Sequence, residues 1–337
     1  MGNTRIEWID STRGIAILLV VVGHVVGGYT GNYGMPKYQR IIDMVVDIIY
    51  TFHMPLFFMI SGGVFGLKKY NWSMDNYAAY INKKAKALLI PYFLFSTLQI
   101  LIKLPLQGKI ASVLSWKNIL LLPIIPIDQF WFIYVLFFIF CLAGFVDWKV
   151  QHNSLIMAIV LFIVGKLLSL FGGDLLNVWG VVLVRCLCYY IYFYIGYKLC
   201  RMKISFSKRT WISLNVIFGI SLISNSFIPL KYEASNIILQ VIIATSGALS
   251  VISFCEEFDF VAKSKLLQVM GSESMSIYIV HVLLCAIIRV TLIKIGFTNL
   301  FISIIIGVVL SIAIPIIMGK CWKILKWKYK VTDGKRN

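Results

Sequence analysis

The sequence predicts an all-α protein that crosses a membrane about ten times, and this prediction rests on composition, run length and periodicity. Of the 337 residues, 60% are hydrophobic and 14% are charged, and the mean hydropathy is +0.86. Soluble domains contain about 45–50% apolar and about 25% charged residues. The apolar residues form runs of about 20, the length of a membrane-spanning helix, without the alternation of membrane-barrel strands. The composition therefore excludes a soluble enzyme, a disordered chain and a secreted disulfide scaffold.

Ten apolar runs follow one another along the chain, and short polar or charged breaks separate them. The first begins directly after Asp10 and Arg13 and is followed by nine more, so we interpret it as a retained helix and not as a cleaved signal peptide. Ten spans put both termini on one side of the membrane, and the short breaks predict a single membrane domain over residues 1–337. The predicted spans are 14–30, 42–66, 87–102, 130–146, 154–171, 178–197, 211–228, 236–254, 275–293 and 298–318.

The distribution of basic residues predicts the side on which the termini lie. The chain has 32 Lys and Arg against 14 Asp and Glu, a net charge of +18. With the N-terminus inside, 22 of the 32 basic residues fall in inside segments, 7 in outside loops and 3 within spans. Cytoplasmic segments of membrane proteins carry such an excess of Lys and Arg. We therefore predict a multi-pass protein of the cell (plasma or inner) membrane with both termini in the cytoplasm.

The C-terminal segment 319–337 is predicted to be a basic cytoplasmic tail. Basic residues from Lys320 to Arg336 are interspersed there with Trp322 and Trp327, which favours contact with anionic lipid headgroups and the aromatic belt of the bilayer. The lipid bilayer is thus the expected partner, and nucleic acid is not. The seven cysteines show no CxxC or Cys/His ligand spacing, so we expect free thiols and no metal site.

Ionisable residues inside the spans are the first candidates for function, because each is costly in lipid unless it is paired or faces a cavity. Lys166 and Arg289 lie near span ends, and we interpret both as snorkelling to the interface. Arg185 lies deeper, where a carboxylate is one partner that would suit it. The full set comprises His24, Asp43, Asp47, His53, Lys166, Arg185, His281 and Arg289.

His24 is the strongest candidate in this set. Arg13 and His24 are eleven residues apart, about 1100° of helical rotation, so they share one helix face with His24 about 16 Å further along. Gly23, Gly27 and Gly28 would let neighbouring helices approach closely there. Imidazole is the side chain best suited to removing a proton from a hydroxyl near neutral pH. The alternative interpretation is a buried histidine that forms hydrogen bonds between helices.

Five short blocks of sequence between positions 10 and 281 form a further pattern. They are Asp10–His24, Phe52–Gly62, Lys83–Lys86 ahead of Pro91 and Tyr92, Gln129–Phe132, and Gly271–His281. In this order they resemble the signature of acyltransferase family 3, a family of integral membrane proteins whose first helix has an Arg and a His separated by ten residues. The family usually carries arginines in the third block, where this chain has only lysines.

The resemblance implies an enzyme, an acyl-CoA-dependent O-acyltransferase. In that family an acyl group, commonly acetyl from acetyl-CoA, is moved to a hydroxyl of an envelope or exported carbohydrate. Acetyl-CoA is therefore the implied co-substrate, and a cell-surface or exported polysaccharide or glycan is the implied carbohydrate acceptor. A polysaccharide-synthesis complex is a candidate partner.

On this basis His24, Arg13 and Asp10 are the predicted catalytic residues. His24 is expected to act as general base or as a transient acyl acceptor. Asp10 can orient the guanidinium of Arg13 through an i,i+3 pair. The acyl-CoA phosphates are expected to bind at a basic rim. An equally good explanation of its lysines is that they are the basic residues usually found in cytoplasmic segments of membrane proteins. This rim comprises Lys83, Lys84, Lys86 and Arg13.

Four further residues are predicted to bind the acceptor: His53, Trp131, Tyr278 and His281. Each has a structural alternative. His53 can fill a gap where a proline frees backbone carbonyls, and Trp131 can anchor the chain at the membrane interface. Tyr278 and His281 share a helix face and can hydrogen-bond to each other.

Two other classes of function fit the same composition. A multi-spanning transporter or flippase of a lipid-linked glycan or polysaccharide would also place ionisable groups inside its spans, although the sequence shows no repeated halves. A structural or assembly subunit of a polysaccharide export complex would tolerate the loss of both Arg13 and His24.

Overall fold

The computed structural model describes residues 6–29, 38–104, 115–150, 154–171, 180–227, 233–297 and 299–333. Within these residues the chain is 88% helical and has no strand, which confirms the predicted all-α class. The helices of this described part are α1 Glu7–Gly27, α2 Gln39–Gly66, α3 Met74–Lys103, α4 Lys117–Leu121, α5 Trp131–Lys149, α6 Leu155–Phe171, α7 Gly180–Arg201, α8 Lys208–Phe227, α9 Glu233–Glu257, α10 Asp259–Ala262, α11 Lys265–Ser272, α12 Ser274–Lys294 and α13 Leu300–Asp333.

Eight helices of the described part are long and apolar enough to cross a membrane, so the chain is a multi-pass membrane protein. They are α1, α2, α3, α5 with the short turn before it, α7, α9, α12 and α13. The count of about ten was approximate, because α6 has only 17 residues and α8 contains polar residues such as Asn215. The predicted span limits at residues 30, 178, 228 and 298 lie outside the described residues.

The helix α13 continues beyond the predicted last span, as far as Asp333. It thereby enters the segment 319–337 that was predicted to be a basic tail. The side chains from residue 321 onward, with Trp322 and Trp327 among them, and residues 334–337 lie outside the described part. Lipid binding by the tail therefore stays a prediction.

The chain divides into two compact units. Unit 1 comprises Met1–Phe57 and Ser205–Asn337, and unit 2 comprises Phe58–Ile204. The prediction of a single membrane domain over residues 1–337 stays a prediction. The two units are described separately below.

In unit 1, α1 packs against the helices from α9 to α13. Its closest neighbour is α11, where glycines bring the two backbones into direct contact. A Cβ atom added to Gly14 would lie 2.2 Å from the carbonyl oxygen of Leu267, and one added to Gly271 would lie 1.9 Å from the carbonyl oxygen of Asp10. Any larger residue would force the helices apart, so this contact fixes the first half of α1.

In unit 2, α5 packs against α3 and α7, and α6 packs against α7. The polar groups of its aromatic interior are held by specific contacts. The carboxylate of Asp147 accepts hydrogen bonds from Trp72 Nε1 at 2.8 Å and from the Tyr197 hydroxyl at 3.4 Å. The Nζ atom of Lys84 lies 3.3 Å from the ring centroid of Phe140, a cation–π geometry.

Candidate active site

Unit 1 contains a cavity of about 390 Å³, formed by α1 and the residues that follow it, the first part of α2, and α12. Its walls combine an apolar surface with a few polar groups, which is typical of small-molecule sites. The polar side chains are His24, Tyr50, Cys285 and Arg289, and the remaining walls are Gly27, Gly28, Val46, Val282 and Ala286. The predicted catalytic histidine therefore lines a cavity.

His24 lies in the last turn of α1, between two aromatic neighbours. Its ring centroid is 5.0 Å from that of His281, in an edge-on arrangement, and 6.1 Å from that of Tyr50. The Tyr50 ring fits against α1 because Gly23 has no side chain, since a Cβ atom there would lie 2.7 Å from Tyr50 Cε1. Gly23 therefore makes room for a side chain of α2.

His281 is fully buried, and its ring is held by the backbone of its own helix. Its Nδ1 atom is 2.7 Å from the carbonyl oxygen of Tyr278 and 3.2 Å from that of Ile277. Because a carbonyl can only accept, Nδ1 carries the proton and Nε2 has the lone pair. Among the described atoms, Nε2 has no hydrogen-bond partner. A buried acceptor in this state costs about 1–3 kcal/mol, so it marks a place for a ligand or a transient donor.

Tyr50, which sequence analysis did not single out, lies next to two of the predicted residues. Its ring centroid is 5.0 Å from that of His53 and 6.1 Å from that of His24. His53 is buried, and its Nδ1 atom donates to the carbonyl oxygen of Ile49 at 2.8 Å. The i,i+3 spacing of Tyr50 and His53 was the available signal, since it places both on one face of α2.

The predicted pair of Asp10 and Arg13 is present in α1. The Nη1 atom of Arg13 lies 3.4 Å from Oδ1 of Asp10, and the two side chains are 31% and 12% exposed, respectively. Arg13 is not among the described residues that line the cavity. It lies about 16 Å along the helix from His24, as eleven residues require. The structure thus places Arg13 and His24 at separate points of one helix.

Arg289 differs from its interpretation as a snorkelling residue. Its side chain lines the cavity, and its Nη1 atom donates to the carbonyl oxygen of Gly28 at 2.5 Å. The neighbouring thiol of Cys285 also lines the cavity, and its Sγ atom is 3.4 Å from Oγ of Ser311. The tertiary fold therefore directs a cationic group toward the cavity that contains His24.

The three lysines predicted to bind acyl-CoA phosphates lie on α3 in unit 2, and they differ in environment. Lys83 and Lys86 are exposed. Lys84 is half-buried, with its Nζ atom over the rings of Phe140 and Tyr80. Lys83 and Lys86 are thus available to a ligand in a way that Lys84 is not.

Trp131, at the start of α5 in unit 2, is half-buried in a cluster of aromatic residues. The guanidinium carbon of Arg185 lies 4.5 Å from its ring centroid, and the ring of Tyr189 lies 5.4 Å away. The deep cation Arg185 therefore has an aromatic face beside it, where a carboxylate had been considered. The guanidinium of Arg185 thus lies over the face of the Trp131 ring.

Comparison with known proteins identifies the family. The model of acyltransferase family 3, described as an acyltransferase domain, matches residues 6–320, which is nearly the whole chain. No curated protein and no solved structure matches the chain. The matched range contains the five blocks of the resemblance, and it contains both His24 and the cavity that His24 lines. The chain therefore belongs to acyltransferase family 3 and is a multi-pass membrane acyltransferase.

Proposed function

We propose that the protein is an O-acyltransferase that moves an acyl group, acetyl in the first instance, from acyl-CoA to a hydroxyl of a cell-surface or exported polysaccharide or glycan. The observation that carries this proposal is the position of His24, which lines a cavity of about 390 Å³ beside the buried His281. Membership of an acyltransferase family supports the reaction type. The donor and the acceptor are our inference from the five sequence blocks.

In the proposed reaction His24 is the general base. It removes the proton of the acceptor hydroxyl as that oxygen attacks the thioester carbonyl carbon. The carbon–sulfur bond then breaks, and the imidazolium of His24 returns the proton to the departing CoA thiolate. The products are the O-acyl glycan and free CoA.

His281 is proposed to be a positioning residue that acts through His24. Its Nδ1 proton is committed to backbone carbonyls, and its Nε2 lone pair is buried without a partner among the described atoms. The ring is edge-on to His24 at 5.0 Å. When His24 gains a proton it gains a second donor, and a small rotation would let that N–H donate to His281 Nε2. This hydrogen bond would form only as charge develops on His24.

His281→Leu is expected to lower kcat by about 10- to 100-fold, because a hydrogen bond to a charged group contributes about 1.5–3 kcal/mol. The KM for acyl-CoA should not change. His281→Gln should restore part of kcat, since its amide oxygen can accept the same bond. The test is steady-state kinetics of the wild type and the two variants, after their melting temperatures have been shown to be equal. Equal kcat losses in the Leu and Gln variants would contradict an acceptor role, and the cause would then be packing.

The phosphates of the donor are proposed to bind Lys83 and Lys86, the two exposed lysines of α3. Lys84 is assigned a smaller part, because its ammonium group lies over Phe140. Lysine binds a phosphate as a point charge, without the two-pronged geometry of arginine. Moderate, additive contributions are therefore expected from each lysine. The assignment of Arg13 to the same basic rim stays a prediction from the sequence.

Lys83→Gln and Lys86→Gln are each expected to raise the KM for acetyl-CoA about two- to fivefold, the range of an exposed ion pair. Kinetics with acetyl-CoA and with its 3′-dephospho form measure which phosphate is bound. Lys69→Gln is the matched control, an exposed lysine that precedes α3. An equal KM increase in the Lys69 variant would show that general surface charge is responsible.

The test of the proposed function is transfer of radiolabel from acetyl-CoA to cell-surface glycans by the purified protein in lipid nanodiscs. Label should appear in the glycan as a base-labile ester. Mass spectrometry of cell-surface glycans from cells with and without the protein should show the matching loss of one acetyl group. If no label transfers, but a lipid-linked glycan crosses proteoliposomes that contain the protein, the molecule is a transporter and the proposal is wrong.

The proposed orientation has both termini in the cytoplasm, where acyl-CoA is made, and the plasma or inner membrane as the location. The excess of Lys and Arg in the predicted inside segments supports this orientation. The bilayer and the carbohydrate acceptor are then the partners of the chain, and a polysaccharide-synthesis complex would supply the acceptor.

A further inference from the structure

Arg289 brings a permanent positive charge to the wall of the cavity that contains His24. Its Nη1 atom donates to the carbonyl oxygen of Gly28, and the amide of Gly28 donates in turn to the carbonyl oxygen of His24. The guanidinium occupies the space that a side chain at position 28 would need, since a Cβ atom there would lie 1.9 Å from Nη1. The guanidinium of Arg289 is therefore fixed at Gly28, the residue one helical turn after His24 in the chain.

The guanidinium has the chemistry to bind an anion. Its N–H donors form a planar fork that matches the oxygens of a carboxylate or a phosphate. A charged group inside an apolar span is costly and usually marks the path or binding site of a polar ligand. Here the same side chain also lines the cavity.

The rest of the cavity offers a surface for a sugar ring. The ring of Tyr50 lies against Gly23, and its hydroxyl oxygen lies 3.8 Å from the position of a Cβ atom at Gly27. Val46, Val282 and Ala286 complete the apolar wall. A ligand in this space would therefore have an aromatic ring, a base (His24) and a cation (Arg289) among the groups that surround it.

We propose that Arg289 binds an anionic group of the acceptor, a phosphate or a carboxylate, so that the enzyme acylates anionic or phosphate-linked glycans in preference to neutral ones. This inference rests on the proposed function, because it assumes that the hydroxyl to be acylated lies at His24. It names the class of acceptor: a glycan that carries a negative charge near its reactive hydroxyl, since His24 and Arg289 line the same cavity. The anion can belong to the glycan itself or to a phosphate that links the glycan to a lipid.

The competing explanation is that Arg289 only caps the C-terminal end of α1. Three variants separate the two explanations. Arg289→Lys keeps the charge and a donor to Gly28, and Arg289→Gln keeps a donor without the charge. Lys294→Gln is the matched control, because it removes an exposed cation from the same helix. If Arg289 is only a helix cap, its variants should lose binding and activity in proportion to their loss of stability. If it binds an anion, the losses should depend on whether the ligand is charged.

The experiment measures ligand binding directly, with the protein in nanodiscs of neutral lipid. Thermal shifts are recorded with paired probes: a sugar 1-phosphate against the free sugar, a glucuronate oligosaccharide against its carboxyl-reduced form, and a polyprenyl-phosphate-linked sugar against the unlinked sugar. The anionic member of at least one pair should raise the melting temperature of wild type, Lys294→Gln and His24→Ala. Arg289→Gln should lose this shift, and Arg289→Lys should keep part of it.

Acyl-transfer kinetics give the second readout. The ratio of kcat/KM for the anionic over the neutral probe should fall at least about tenfold in Arg289→Gln, in keeping with a charge-assisted hydrogen bond, and should stay unchanged in Lys294→Gln. The pair that responds identifies the source of the anion. Equal binding of charged and neutral probes to wild type overturns the inference, and so does an Arg289→Gln protein that is less stable but equally selective. If no probe is acylated by wild type while the binding difference persists, the proposed function fails and the anion site stands.

Discussion

Replacing His24 with alanine is expected to lower acyl transfer by about 10²–10⁴-fold, the usual contribution of a general base. The variant should still insert and fold, because His24 is only half-buried and lines a cavity, so that alanine removes mainly its ring contacts with His281 and Tyr50. The measurement is transfer of radiolabel from acetyl-CoA to glycan, with size-exclusion profile and melting temperature as checks of the fold. His152→Ala is the control, since the sequence places that histidine between two predicted spans.

Two results would contradict the assignment of His24. An active His24→Ala enzyme would show that another group removes the proton. Unchanged surface glycans in cells that carry His24→Ala together with Arg13→Ala would favour an assembly role for the protein. Arg13→Ala alone should affect mainly the KM for acyl-CoA, because position 13 lies about 16 Å from position 24 along α1.

The second large effect is expected at the contact between α1 and α11. Gly271→Ala places a methyl carbon 1.9 Å from the carbonyl oxygen of Asp10. This oxygen belongs to the main chain, so it cannot move away as the end of a flexible side chain can. Overpacking of this kind costs about 1–3 kcal/mol or more, a large fraction of the roughly 5–15 kcal/mol that stabilises a typical domain. Thermal unfolding in detergent and the yield of monodisperse protein are the measurements.

Gly219→Ala is the matched control for Gly271→Ala. Gly219 also lies within a helix, α8, but nothing described lies within 4 Å of an added Cβ atom there. Alanine stabilises a helix interior by roughly 0.8–1.0 kcal/mol relative to glycine, so this variant should be unchanged or slightly more stable. If the two variants melt at the same temperature, the close backbone contact does not stabilise unit 1 in the way that we describe.

Most of the fold could be predicted from local pattern alone. An apolar run of about 20 residues must satisfy its own backbone hydrogen bonds in lipid, so it forms a helix whatever surrounds it. Run length alone did not show that α6 has only 17 residues, or that α8 does not reach the length and apolar character of the eight helices that can cross a membrane. Nor did it show that α13 continues to Asp333.

The candidate site was predictable where its geometry lies within one helix. The Asp10 and Arg13 pair follows from three-residue spacing, and the separation of Arg13 from His24 follows from helical rise. The contact of His24 with His281 joins residues on two distant helices, and no local pattern encodes which helices pair. For the same reason Tyr50 was missed, since an aromatic residue in a span is unremarkable until its neighbour is known.

Arg289 shows the limit of single-residue reasoning most clearly. Its position near a span end made snorkelling the natural interpretation. The direction of its side chain depends on the end of α1, where Gly28 offers both an open space and a carbonyl acceptor. Composition and spacing describe the cost of such a charge, whereas only the packed structure shows where the charge is directed.

The helix α1 also sets a distance. Arg13 and His24 lie about 16 Å apart along it, because eleven residues of an α-helix rise by that length, and the backbone contact with α11 at Gly14 and Gly271 holds the first half of this helix in place. In the proposed reaction this fixed separation limits which donors can react. A thioester whose phosphates bind at Arg13 can reach His24 only if its linking arm spans that length, so the first helix would select its donor by size as well as by charge.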